Sequence, residues 1–311
     1  MKIAFFGTPD TAVPYLRRLA QEHEVVAVVT QPDRPRGRGR RLAVPPVKAE
    51  ALRLNLPVLQ PGQVKCAEFC RCTELRAAEA SVVVAYGQIL PAELCATADR
   101  PALNVHYSLL PDLRGAAPVQ RALLEGRQKT GITVQYVAEE LDAGDIILQR
   151  EVAIAPEDDA ERLFEKLQEI GVPALSRALR LLEKGQAPRV PQDGRQATYA
   201  LPLRPEEAAV HWGEAAETIV NQVRAFSPSP GAYCHHQGRR LKLSAPELVP
   251  GEQRKGNPGE ITNLSSQGLT VQTGEGSALI GEVQPEGRRR MGAADYARGA
   301  RLSVGDVLQN G

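Results

Sequence analysis

The run Val25 to Thr30, Val-Val-Ala-Val-Val-Thr, constrains this chain more than any other stretch. A strand with one wet face alternates apolar and polar residues. A run that is apolar almost throughout fits a strand covered on both faces. Shorter runs of the same kind recur at Lys2–Phe6, Pro57–Leu59, Val82–Ala85 and Ala102–Val105. Helical spacing fills the intervals at Ala12–Glu22, Val47–Leu54 and Ala67–Ala78. Strands alternating with helices predict an α/β fold with a parallel, doubly wound sheet. Gly7-Thr8-Pro9 ends the first strand without a GxGxxG pattern, so a nicotinamide cofactor is not indicated.

The pattern then loosens. Pro118–Glu125 reads as a helix with Pro at its permissive first position, followed by strands over Ile132–Val137 and Ile146–Ile154. Glu161–Lys184 is a long amphipathic pattern that Pro173 is expected to kink or restart. Residues 186–205 hold four prolines (Pro188, Pro191, Pro202, Pro205) and few apolar residues, the texture of a linker. The expected division is a domain over 1–189, a linker over 190–205 and a smaller domain over 206–311. In the last, a helix over Ala215–Ala225 leads into short β segments at Leu241–Ser244, Gly259–Asn263, Leu269–Thr273 and Leu279–Val283. Short strands at this spacing predict a small β-barrel.

A length of 311 residues accommodates two domains, and a net charge of +1 excludes a global field for nucleic acid, so any basic footprint is local. The five cysteines are an odd number, which argues against a disulfide framework and for a reducing compartment. No apolar stretch spans a membrane, and the N-terminus lacks the order of a signal peptide. These features predict a cytoplasmic protein.

Two places carry chemistry. In Asn104-Val105-His106 the two polar side chains lie two apart on a strand, so they project together. The strand runs into Ser108-Leu109-Leu110-Pro111 and Arg114-Gly115-Ala116-Ala117-Pro118. A strand that ends in such a turn before a helix is where open α/β sheets bind ligands. Asp142, in the turn Leu141-Asp142-Ala143-Gly144-Asp145, adds a carboxylate. Asn104 and a protonated His106 suit an oxyanion forming on a carbonyl or formyl carbon, and Asp142 suits the proton leaving an attacking amine. The plainer alternatives are a satisfied core histidine and a turn aspartate bonded to its own backbone. The second place is the loop Gln31–Arg41, with five arginines (Arg34, Arg36, Arg38, Arg40, Arg41) and one acid. Such a loop is either solvated or grips phosphates and single-stranded ends. Cys66, Cys70 and Cys72 lack a nearby histidine, and His235 and His236 point apart on a strand, so no metal site is expected.

Taken together, these motifs resemble bacterial methionyl-tRNA formyltransferases along almost the whole chain. The resemblance rests on Phe6-Gly7-Thr8-Pro9, Thr30–Pro35 with Gly37-Arg38-Gly39, Val83–Pro91, Asn104–His106 with Ser108–Pro111, Arg114–Pro118 and Leu141–Asp145. It continues, more thinly, in Arg224-Ala225-Phe226 with Pro228, Pro230 and Gly231, and in Arg289-Arg290-Met291. It implies a Rossmann-like catalytic domain and a β-barrel domain. It also implies 10-formyltetrahydrofolate as donor and methionyl initiator tRNA as acceptor; no metal is expected, and a monomer that does not enter membranes is expected. By the same resemblance, Asn104, His106 and Asp142 are the catalytic trio. Tyr86, Gly87, Gln88, Ile89, Leu90, Pro91, Ser108, Leu109, Leu110 and Pro111 line the folate site, and Arg34 to Arg41 enters the acceptor stem. The chain departs from the family pattern at Tyr107, Asp112, Pro202, Pro205 and Ser229. A same-fold enzyme acting on a nucleotide-sugar amine is opposed by the arginine loop. A non-catalytic folate- or RNA-binding module is opposed by the intact trio.

Overall fold

The computed structural model describes residues 1–36, 41–91, 94, 101–249 and 256–311. Seven strands form the large sheet, in the order Ile146–Ala153, Lys129–Tyr136, Leu103–His106, Ala80–Val84, Lys2–Gly7, Glu24–Val29, Val58–Leu59. The last five strands in that order are mutually parallel. Ala4, Phe6, Ala27 and Val29 pack on one face with Val64, Leu75, Ala78 and Tyr86. Ile3, Phe5 and Val28, of opposite parity, are equally buried. Both faces of these central strands are therefore covered, which is why their sequence does not alternate.

The parallel order ends at Lys129–Tyr136, which runs antiparallel to Leu103–His106 with Asn104 opposite Gln135 and His106 opposite Thr133. The α/β, Rossmann-like expectation stands with this one antiparallel addition. Two local expectations change. The helix expected over Ala67–Ala78 is two single turns, Ala67–Cys70 and Thr73–Arg76, because Cys72 is extended between them. The kink or restart expected at Pro173 does not divide the next helix, which runs without a break from Ala160 to Glu183. Proline removes one backbone donor there, and the buried Ala174, Leu175, Ala178 and Leu179 hold the turns that follow.

Met1–Gly115, Gly131–Val152 and Lys166–Tyr199 pack into one unit, and Ala116–Thr130, Ala153–Glu165 and Ala200–Gly311 into a second. The second unit centres on an antiparallel sheet of Tyr233–His236, Arg239–Val249, Ser277–Pro285, Gly268–Gln272 and Ile261–Ser265, with Met291–Gly292 beside Ser277–Pro285. The C-terminal segment bridges both outer strands, Gln309 pairing with His235 and Val307 with Glu260. It closes the sheet as the barrel expectation requires, leaving neither outer strand as a bare edge. Helix Ala216–Phe226 buries Ile219, Val223 and Phe226, and packs against helix Pro118–Leu124.

Candidate active site

In the parallel part of the sheet every strand ends at the same edge. Gly7, Val84 and His106 all close strands there. The two-residue period puts Asn104 and His106 on one face, and the antiparallel register places Gln135 directly opposite Asn104. The turn carrying Asp142 reaches this group. Asn104 Nδ2 donates to Asp142 Oδ1 at 3.1 Å, and Gln135 Nε2 donates to the same oxygen at 3.1 Å. The backbone N–H of Gly115 donates to Asp142 Oδ2 at 2.9 Å. His106 Nδ1 lies 3.5 Å from Asp142 Oδ2, and its Nε2 lies 2.9 Å from the carbonyl oxygen of Leu113. A carbonyl only accepts, so Nε2 carries a proton and Nδ1 is the nitrogen free to exchange one with the carboxylate. His106 is buried and the Asp142 side chain is 10% exposed, so the trio is shielded yet reachable.

The Asp142 turn is held by its backbone. Asp142 itself has a φ of 52°, in the left-handed region that aspartate tolerates better than most residues. Gly144 passes so close to the preceding strand that a Cβ there would stand 1.8 Å from the Tyr136 carbonyl oxygen. Only glycine fits. The turn Ser108–Pro111 is pinned by Thr133, whose hydroxyl donates to Ser108 O at 2.7 Å and accepts from Leu110 N at 3.1 Å.

The segment Tyr86–Pro91 leaves the neighbouring strand at the same edge. Tyr86 turns its side chain inward, edge-on to Phe6 with ring centroids 5.6 Å apart, and burial pushes its phenol up to about 12. Its carbonyl accepts from Thr8 Oγ1 at 2.8 Å. Gln88 Oε1 accepts from Val64 N at 3.1 Å, so this side chain is turned toward the adjoining loop. Leu90 is buried, whereas Ile89 is exposed and Gly87 faces open space. Tyr107 packs edge-on against Tyr15, and Asp112 accepts from Thr198 Oγ1 at 3.2 Å, so two of the departing residues have structural partners.

The arginine loop rises from the same edge as an antiparallel hairpin of Arg34–Arg36 and Arg41–Ala43, with Arg36 opposite Arg41. Its base is clamped at Asp33, whose carboxylate accepts from Lys48 Nζ at 2.7 Å and Gln60 Nε2 at 2.8 Å. These partners hold Asp33 below its usual carboxylate range, Lys48 foremost. Arg34 reaches Gln31 at 3.4 Å. Arg38 and Arg40 lie outside the described residues.

Sequence reasoning missed the layer behind the trio. Gln192 Nε2 donates to the backbone carbonyls of Asp142 (2.9 Å) and Gly144 (2.8 Å) and approaches Gln135 Oε1 at 3.1 Å. Gln192 Oε1 accepts from Arg114 Nε (3.1 Å) and Nη2 (2.9 Å), while Arg114 Nη1 meets Glu140 at 3.2 Å. Gln135 was findable as a polar residue flanked by Val134 and Tyr136 in an expected strand. Gln192 gave no signal, lying among prolines in the expected linker. Among the described residues no group of three His, Cys, Asp or Glu side chains could hold a metal. None of their helices is long and apolar enough to cross a membrane.

The fold and its two parts place the chain among the formyl transferases. The formyl transferase family model matches residues 1–179, and the model of the formyl transferase C-terminal domain matches residues 202–301. More narrowly, the chain belongs to the methionyl-tRNA formyltransferase family. It is 45% identical to the methionyl-tRNA formyltransferase of Moorella thermoacetica over 99% of both chains. Among solved structures, the methionyl-tRNA formyltransferase from Clostridium thermocellum matches with a TM-score of 0.57 at 19% identity, over 81% of this chain and 95% of that one. HypX from Aquifex aeolicus in complex with tetrahydrofolic acid matches with a TM-score of 0.65 at 20% identity, over 98% of this chain and 48% of that one. The last two likenesses are of fold.

Proposed function

We propose that this chain transfers the formyl group of 10-formyltetrahydrofolate to the amino group of methionyl initiator tRNA for translation initiation, with Asn104, His106 and Asp142 carrying the chemistry. The observation that carries the reading is the single Asp142 carboxylate that receives Asn104 and stands beside His106 at the strand end. The bound folate supplies a formyl carbon and a nitrogen leaving group. Ile89, on the segment leaving the strand-end edge, and Leu141, in the turn that carries Asp142, are both exposed and offer the apolar contact that a flat pterin ring requires, and Gly87 leaves room for it. The segments Tyr86–Pro91 and Ser108–Pro111 form the walls of this folate site.

Asn104 uses one N–H on Asp142, and its second N–H meets the negative charge that develops on the formyl oxygen. Protonated at Nδ1, His106 supports the same charge. Asp142 accepts the proton that the attacking amine sheds as its bond to the formyl carbon forms, directly or through one water, and that proton is passed to the folate nitrogen as the formyl carbon–nitrogen bond breaks, while Gly115 and Gln135 keep the carboxylate in place. The arginine hairpin Arg34–Arg41 takes the phosphates of the tRNA acceptor end. The catalytic domain spans 1–189, the linker 190–205 and the tRNA-binding domain 206–311. The protein acts as a cytoplasmic monomer.

The test offers labelled 10-formyltetrahydrofolate with methionyl-tRNA or with a nucleotide-linked amino sugar. Label is expected on methionyl-tRNA alone. Label only on the sugar would refute the acceptor, and label on neither would refute the reaction.

A further inference from the structure

Gln192 lies 50 residues after Asp142 along the chain, on the segment that leaves the catalytic unit, yet it is bonded to the Asp142 turn at two carbonyls. We propose that Gln192 is a positioning residue for Asp142. Its amide ties the exit segment to the turn that presents the carboxylate, so the carboxylate is correctly aimed only while that segment is docked. The inference rests on the function proposed above and adds a residue that acts through Asp142 rather than on the substrate.

Three features carry it. First, the turn is intrinsically strained. Asp142 has a positive φ, Gly144 is pressed against Tyr136, and the backbone hydrogen bond across the turn, Ala143 N to Glu140 O, is long at 3.3 Å. Such a conformation persists only where its surroundings over-determine it. Second, Gln192 supplies that determination from outside the turn, through the carbonyls on either side of Ala143 and through Gln135, which itself donates to Asp142 Oδ1. Third, Gln192 is itself held. Arg114 donates to its Oε1 from two nitrogens, which orients the amide so that Nε2 faces the turn. The segment is also docked on both sides of Gln192. Val190 exchanges two backbone hydrogen bonds with Ile146 at 2.8 and 3.1 Å, and Arg114 N donates to Thr198 O at 2.8 Å. Arg114 is buried and directly precedes Gly115, whose N–H holds Asp142 Oδ2. The exit segment and the Arg114-Gly115 step therefore grip the carboxylate turn from two sides.

The informative substitution is Gln192→Glu. It is nearly isosteric and keeps an acceptor for Arg114, now as an ion pair, so the segment stays docked. It removes only the Nε2 donor and sets a carboxylate oxygen against the Asp142 and Gly144 carbonyls. A displacement of about 1 Å at a reacting group costs up to ~10²-fold in rate, so kcat is expected to fall ten- to a hundredfold with the KM for folate and tRNA unchanged. In the Asp142→Asn background the same substitution is expected to cost nothing further, because residues acting as a unit are non-additive. Hydrogen exchange at the Gly115 and Ala143 amides is expected to quicken in Gln192→Glu, whatever the activity measured. Unchanged kcat together with unchanged exchange overturns the proposal, as does an equal loss in the wild-type and Asp142→Asn backgrounds. A wild-type protein that formylates no methionyl-tRNA refutes the proposed function instead, and the exchange measurement then decides the role of Gln192 alone.

Discussion

Asp142→Asn exchanges one oxygen for an amide nitrogen and tests the whole trio. The carboxylate receives Asn104 and Gln135 on Oδ1, at 3.1 Å each, and Gly115 on Oδ2 at 2.9 Å. All three are donors. An amide nitrogen at the Oδ1 position would confront two of them. At the Oδ2 position it would confront only Gly115 N while pointing an N–H at His106 Nδ1, 3.5 Å away. The second orientation is the cheaper. It leaves one backbone N–H unsatisfied, at a cost of about 1–3 kcal/mol, or a melting temperature lower by about 2–10 °C. The protein therefore remains folded at 25 °C. Its chemistry does not survive. With Nε2–H on the Leu113 carbonyl and an amide N–H on Nδ1, both ring nitrogens of His106 are engaged and neither is left to move a proton. The amide is not a base either. General acid–base assistance is worth about 10²–10⁴-fold, so kcat is expected to drop by that factor while the KM for folate stays near wild type. Single-turnover transfer of labelled formyl to methionyl-tRNA, with a thermal melt of the same sample, measures both quantities. A folded variant that keeps more than about a tenth of the wild-type kcat, far above the drop that loss of acid–base assistance requires, would refute the reasoning, and so would a loss confined to KM.

Two further outcomes follow from other parts of the molecule. Replacing Arg34, Arg36, Arg38, Arg40 and Arg41 by glutamine is expected to weaken tRNA binding and to lower the slope of log affinity against log salt by about one for each phosphate no longer neutralised; folate binding is unchanged, and an unaltered slope returns the hairpin to a merely solvated charge cluster. In the second unit, Glu207 accepts from Arg121 Nη1 at 2.7 Å and Nη2 at 3.0 Å, which lowers its carboxyl from 4.5 to about 2. A depressed folded-state value stabilises above the unfolded value and loses that stabilisation as pH falls through the folded one. Arg121→Met is therefore expected to flatten the loss of stability between pH 4.5 and about 2, followed by acid unfolding in the far ultraviolet; a wild-type slope in that window would sink the pairing.

Most of the local elements and the polar pairing at the strand end were legible in the sequence. Apolar runs such as Val25–Thr30 are legible because a strand buried on both faces must be apolar throughout, and Glu24–Val29 is such a strand. The period of two fixes Asn104 and His106 on one face wherever the strand lies. The glycine in Leu141–Asp145 marks a turn with no room for a side chain, as Gly144 is. Other features depended on distance along the chain. Which way Lys129–Tyr136 runs, and in which register, is decided by long-range pairing, and that pairing puts Gln135 across from Asn104. Closure of the second sheet awaits residues 307–309, which pair with strands lying far earlier in the chain. The approach of Gln192 to Asp142 is decided by the docking of a proline-rich segment whose composition reads as a tether. Local periodicity records which face of an element is buried. It carries no record of which distant element buries it, and the shell around Asp142 is built from such partners.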